Sequence, residues 1–222
     1  MTHPLPWHAI DTVLLDMDGT LIDLHFDNHL WLTLVPERYA RLHGLTADEA
    51  KRCIDAHYGA VAGTLNWYCV DYWSETLGLD IRALKQEIVE KIRWRPNVIP
   101  FLEALKAAGK QRILFTNAHP ASLEVKVPRL GLDAHLDRIV STHELGWSKE
   151  SQRSWQALAE RVAFDPTRTL FIDDSERILA ASAEFGVAYQ LGIRHPDSGN
   201  APITFTRFPA LDDYADLLPL RF

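Results

Sequence analysis

Cysteine is scarce in this chain: Cys53 and Cys69 are the only two among 222 residues. Neither belongs to a CxxC pair or to a Cys/His spacing that would suggest zinc, so both read as reduced thiols of a cytoplasmic protein. Long apolar runs are missing too. No segment approaches the roughly 20 apolar residues that a membrane span needs, and residues 1–10 carry prolines and histidines without the basic start of an export signal. There is no excess of positive charge. The formal net charge is −7, and lysines and arginines are scattered among acids, which leaves no basic stripe for a nucleic-acid backbone. No repeat or low-complexity tract appears. With 47% hydrophobic residues over this length, the chain can bury one substantial core and still have enough left for a smaller appended unit. These absences predict a soluble, cytoplasmic protein with neither a membrane nor a nucleic-acid polymer as partner, and they leave its oligomeric state open.

What the chain does have is the run Val13-Leu14-Leu15-Asp16-Met17-Asp18-Gly19-Thr20. An apolar strand ends there in two carboxylates, a glycine and a hydroxyl. Period-two alternation sends Asp16 and Asp18 to one side of the backbone, where both can face a single reacting atom. Two such close charges are costly without a cation. A hard, oxygen-seeking Mg²⁺ offsets the repulsion, and Gly19 frees the backbone to turn sharply as it leaves the strand. The bland alternative is an aspartate that caps a turn after a strand.

From residue 97 onward helix and strand signals alternate. Helices are predicted over 101–108, from Pro120 to a stop at Gly131, over 149–162, and over 176–185 ending at Gly186. Strands are predicted over 112–116, 138–141, 169–173 and 187–190. This alternation implies an α/β fold with a doubly wound parallel sheet, whose ligands bind beyond the carboxyl ends of the strands. Asp16, Thr116 and Asp173 fall there. Between residues 25 and 94 the pattern is helical alone, an inserted α-helical cap of four helices, with the catalytic core at 1–24 and 95–222. Thr46 and Glu49 form a capping box, Pro36 should break or kink the first helix, and the stretch 66–73 dominates the third. Its aromatics at helical spacing read first as core, with one edge free to stack on a planar substrate. The tail after Ile193 reads as largely loop.

Three further sites accompany the first acidic pair. Thr116-Asn117 closes a strand, where hydroxyl and backbone N–H groups suit a phosphate oxygen or merely a turn. Lys149 follows Ser148, read as a helix cap, so a cation would occupy a first turn that the helix dipole disfavours; that placement suggests a purpose beyond an exposed lysine. Asp173-Asp174-Ser175 repeats the first motif, unless one acid is simply an N-cap.

Together, in the order Asp-x-Asp, Thr, Lys, Asp-Asp, these residues resemble the haloacid dehalogenase superfamily. Nearly the whole chain is similar to the bacterial GMP/IMP nucleotidases within it, through Phe26-Asp27-Asn28, Leu65-Asn-Trp-Tyr-Cys, Asp71-Tyr-Trp-Ser-Glu, Thr116-Asn-Ala-His-Pro120 and Leu170-Phe-Ile-Asp-Asp-Ser175. The resemblance implies a Mg²⁺-dependent phosphate monoester hydrolase acting on a purine nucleoside 5′-monophosphate. Asp16 would be the nucleophile that becomes an aspartyl phosphate, and Asp18 the acid and base. The metal would be held by the Asp16 carboxylate, the Asp18 backbone carbonyl and Asp174, with Asp173 bound directly or through water. Thr116, Asn117 and Lys149 would hold the phosphoryl oxygens. An Asp at position 18 argues against the dehalogenase branch, which needs no proton donor to an oxygen leaving group. Sugar-phosphate phosphatases and phosphomutases share this machinery. A receiver domain phosphorylated on aspartate has a different motif order and no helical insertion of this size.

Overall fold

The computed structural model describes residues 5–221. Its first strand, β1 (Thr12–Leu15), is completely buried, and its alternate side chains divide between the two faces of the sheet. Val13 and Leu15 join one core cluster, and Leu14 joins the other. A strand buried on both faces is the mark of a parallel sheet covered by helices.

The polypeptide leaves β1 through a tight turn at Gly19, whose N–H donates to Ile22 O at 2.8 Å, and enters a run of helices. These are α1 (His25–His29), α2 (Val35–His43), α3 (Ala47–Val61), α4 (Val70–Leu77) and α5 (Ile81–Glu87). A π-helical turn at Leu30–Leu34 joins α1 to α2. Pro36 therefore ends no helix. It lies in the first turn of α2, where the missing N–H does least harm, and the wider turn ahead of it takes up the mismatch. The helical region thus has four rods, α1 and α2 making one. Thr46 opens α3 with the expected capping box, its N–H donating to Glu49 Oε2 at 2.9 Å while its hydroxyl accepts the Glu49 N–H at 3.3 Å. Two chain crossings connect this region to the sheet side by side, Asp23 N–H donating to Arg93 O and Arg95 N–H to Leu21 O, each at 3.0 Å.

The remaining chain alternates: α6 (Val98–Ala107), β2 (Gln111–Thr116), α7 (Pro120–Leu130), β3 (Arg138–Ser141), α8 (Gln152–Arg161), β4 (Thr169–Asp173), α9 (Glu176–Phe185), β5 (Tyr189–Ile193) and β6 (Ala210–Leu211). The strand order is β3-β2-β1-β4-β5-β6, with every pairing parallel. This is the expected doubly wound α/β sheet. On one face Trp155 of α8 is wholly buried, edge-on to Phe115 and Phe171 at 5.1 Å each. On the other, α6, α7 and the helical region share one continuous core. The last expected strand, over 187–190, begins two residues later and runs to Ile193, because Gly186 is followed by a hydrogen-bonded turn at Val187. The tail is not all loop, since Ala210 and Leu211 pair with Gly192 and Ile193. No helix among the described residues is long and apolar enough to cross a membrane.

Candidate active site

The strand order reverses direction of growth at β1, between β2 and β4, and a crevice opens beyond the carboxyl ends of these strands. A cavity of about 480 Å³ occupies it, a volume typical of small-molecule sites. Asp16, Asp18, Thr116, Asn117, Lys149, Asp173 and Asp174 all line this one cavity. Alternation persists just past β1, where Asp16 and Asp18 face the cleft and Met17 enters the core.

Lys149 lies at the centre. Its Nζ is 2.5 Å from Asp16 Oδ1 and 2.7 Å from Asp173 Oδ2, and the residue is 1% exposed. Burial alone would strip its proton, but the two carboxylates overcome that and hold the ammonium above the usual lysine range. The Lys149 backbone differs from expectation. The helix starts at Gln152 with Ser151, not Ser148, as its cap, so Lys149 stands in a turn ahead of α8 and meets no unfavourable helix dipole. Asn117 fastens that turn. Its Oδ1 accepts the Lys149 N–H at 2.8 Å, and its Nδ2 donates to Glu150 Oε2 at 3.2 Å. The Thr116 hydroxyl accepts the Ala118 N–H at 3.0 Å, shaping the loop that leaves β2.

The acids outnumber the cations that face them. Burial, then the Asp173 charge, raise Asp16 to about 6 against the pull of Lys149. Burial with Asp173 and Asp16 nearby drives Asp174 well above the carboxylate range, and Asp173 is also raised, chiefly by burial. Asp173 Oδ1 accepts the Ser175 N–H at 2.8 Å, fixing the β4 exit. Gly19, at φ +82°, lets the first loop pass directly over Asp174; a Cβ there would strike the Asp174 carboxylate. A buried, all-oxygen donor set with surplus negative charge fits a hard divalent cation such as Mg²⁺.

Asp18 belongs to a second network that sequence reasoning did not single out. Lys126 of α7, fully buried, places its Nζ 2.6 Å from both Asp18 Oδ1 and Asp27 Oδ2, and buried Lys85 lies 3.5 Å from Asp27 Oδ1. Burial and then the Asp27 charge raise Asp18 to about 7, with Lys126 opposing them. Asp27 itself stays below the usual range because Lys126 and Lys85 outweigh its burial. A lysine inside an amphipathic helix gives no sequence signal of such a role, and Asp27 stands out in the sequence only within the string Phe26-Asp27-Asn28. The other rim is built by Tyr68, whose hydroxyl donates to Glu150 Oε1 at 2.8 Å, and by Arg177, 2.5 Å from the same oxygen. Of the aromatics in 66–73, Trp67, Tyr68 and Trp73 line the cavity with Trp31 and Tyr58. Trp73, 1% exposed, reaches the cavity from the core, packed edge-on to Tyr58 and Tyr72 at 5.0 and 5.1 Å.

Comparison with known proteins agrees with this geometry. A family model described as haloacid dehalogenase-like hydrolase matches residues 10–186. A GMP/IMP nucleotidase of Escherichia coli (strain K12) is 55% identical over 97% of both chains. An N-acetylmuramic acid 6-phosphate phosphatase of Pseudomonas aeruginosa is 24% identical over 86% of this chain and 87% of its own. Among solved structures, a HAD phosphatase from Thermococcus onnurineus superposes with a TM-score of 0.77 at 20% identity, covering 94% of this chain and 96% of the other. The cleft, its ordered acids and these relatives lead to one conclusion: the chain belongs to the haloacid dehalogenase-like hydrolase family.

Proposed function

We propose that the protein is a cytoplasmic, Mg²⁺-dependent phosphatase that removes the phosphate of purine nucleoside 5′-monophosphates, GMP and IMP, through an aspartyl phosphate. The observation that carries the reading is the convergence of Asp16, Asp18, Lys149, Asp173 and Asp174 on one cleft, in a chain 55% identical to a GMP/IMP nucleotidase. Residues 1–24 and 95–222 form the catalytic core in this reading, and 25–94 the cap that closes over it.

Asp16 attacks phosphorus through a carboxylate oxygen, and the bond to the nucleoside oxygen breaks. Asp18 supplies that oxygen with a proton. It then takes a proton from water, which attacks phosphorus and frees Asp16 and inorganic phosphate. A group near pH 7 suits both tasks. Lys149 neutralises Asp16 and the incoming phosphoryl oxygens, so that electrostatic positioning does most of the work. The Thr116 hydroxyl and the backbone N–H of Asn117 complete the phosphate cradle; the Asn117 side chain is already engaged with Lys149 and Glu150. Mg²⁺ held by Asp16, the Asp18 carbonyl, Asp174 and Asp173 would supply charge neutralisation between nucleophile and phosphate. Trp67, Tyr58 and Trp31 give the cavity an aromatic wall suited to a flat purine.

The experiment is phosphate release from a panel of 5′-nucleotides and sugar phosphates, with Mg²⁺ or chelator, for the wild type and Asp16→Asn. Metal-dependent turnover favouring GMP and IMP and absent from the variant is expected. Preference for sugar phosphates would remove the nucleotide assignment and keep the chemistry, whereas turnover by Asp16→Asn would overturn the nucleophile.

A further inference from the structure

A second cluster of ligating side chains lies outside the carboxylate site. Cys69 comes from the helical region, where it caps α4 with its Sγ accepting the Tyr72 N–H at 3.4 Å. His119 caps α7, and His143 lies in the turn after β3. The three donor atoms are within 4.8 Å of one another. Three distant segments supply them, so no sequence spacing could reveal the group.

His143 is arranged as a ligand is. The backbone at Asn117 faces its ring and favours the protonated form, while Nε2 is buried without a hydrogen-bond partner among the described residues. A metal-bound histidine characteristically donates its other N–H to a carbonyl, which fixes the tautomer and leaves a free lone pair. A buried, orphaned nitrogen calls for a missing partner. Burial holds His143 down to about 4 and lowers His119 as well, so both rings are neutral at physiological pH.

We propose that Cys69, His119 and His143 form a separate Zn²⁺ site that ties the helical region to the sheet. One sulfur and two imidazole nitrogens suit zinc and repel the magnesium preference of the carboxylate cluster. Tetrahedral zinc spaces such ligand atoms about 3.3–3.6 Å apart, so Cys69 and the histidines draw together by roughly 1 Å. His119 changes most. Its Nδ1 now accepts the Ala121 N–H at 3.2 Å, so ligation through Nε2 moves the ring proton to Nδ1 and gives up that bond. Asp71, whose Oδ2 is 3.5 Å from His119 Nε2, or a water supplies the fourth position. Because the sulfur belongs to the helical region and the nitrogens to the loops after β2 and β3, bound zinc ties the two together and slows any turnover that requires them to part.

The test loads metal-stripped protein with Co²⁺, a spectroscopic stand-in for zinc, in excess Mg²⁺. A cobalt–thiolate charge-transfer band at one Co²⁺ per chain is expected. Cys69→Ser should abolish the band, and His143→Ala should weaken Zn²⁺ binding by more than the roughly 10–100-fold typical of losing an outer partner. Cys69→Ser should keep its Mg²⁺-supported phosphatase activity while losing inhibition by Zn²⁺. A wild-type Co²⁺ spectrum without a thiolate band, or one unchanged in Cys69→Ser, would overturn the site. Neither result would touch the phosphatase reading, which is measured in Mg²⁺ alone.

Discussion

At the scale of single residues, the proposed chemistry turns on how Asp18 keeps a proton at neutral pH. Burial and the Asp27 charge push it up to about 7, and Lys126, 2.6 Å away, pulls it back. Asp16 sits lower, at about 6 without metal, and a bound dication lowers it further by favouring the ionised form. The nucleophile must be ionised and the acid protonated, so kcat should rise with pH on the Asp16 limb and fall through about 7 on the Asp18 limb. Asp27→Asn removes a charge that raises Asp18, so its alkaline limb should move to lower pH while the acid limb stays; an unmoved alkaline limb in the pH profile would show that Asp27 does not tune the proton donor. Asp16, Asp18, Asp173 and Asp174 were legible as cleft residues because strand alternation and strand ends place them without reference to anything distant. Lys126 was not legible: only the packing of α7 against the exit of β1 turns a helix lysine inward, and sequence periodicity reads it as a solvated face.

At the scale of elements, the loops after β1, β2 and β4 matter more than the strands themselves. Asn117 shows this. By accepting the Lys149 N–H and donating to Glu150 it joins the β2 loop to the turn before α8, and so sets where the Lys149 ammonium meets Asp16. Asn117→Ala leaves a buried N–H unpaired, at a cost of about 1–3 kcal/mol. Displacing Lys149 by an ångström should lower kcat/KM about a hundredfold, with the fold preserved by circular dichroism; wild-type kinetics would contradict the coupling. The sequence misplaced this turn because Ser148 and Ser151 are equally good caps, and only the Asn117 contact from another strand decides between them. The β5 shift and the β6 pairing have the same origin. Short edge strands are settled by neighbours such as the 209–211 segment, which local propensity does not see.

For the whole molecule, the sheet provides a fixed floor and the helical region a roof, joined by two adjacent crossings near Leu21–Asp23 and Arg93–Arg95. Tyr68 and Arg177 meet at Glu150 across one rim, and Cys69 of the helical region meets His119 and His143 of the loops after β2 and β3. The overall plan was legible because helix-only and alternating stretches divide the chain cleanly. What passes between floor and roof was not, since those contacts join residues far apart in sequence. The proposed reaction rests on a covalent bond between Asp16 and phosphorus. Its most direct test is mass spectrometry of protein acid-quenched during turnover of GMP with Mg²⁺. The expected result is a phosphoryl group on the peptide containing Asp16, labile to hydroxylamine as an acyl phosphate is, and missing from Asp16→Asn. Phosphate on another residue, or burst kinetics with no phosphoprotein at any quench time, would contradict it.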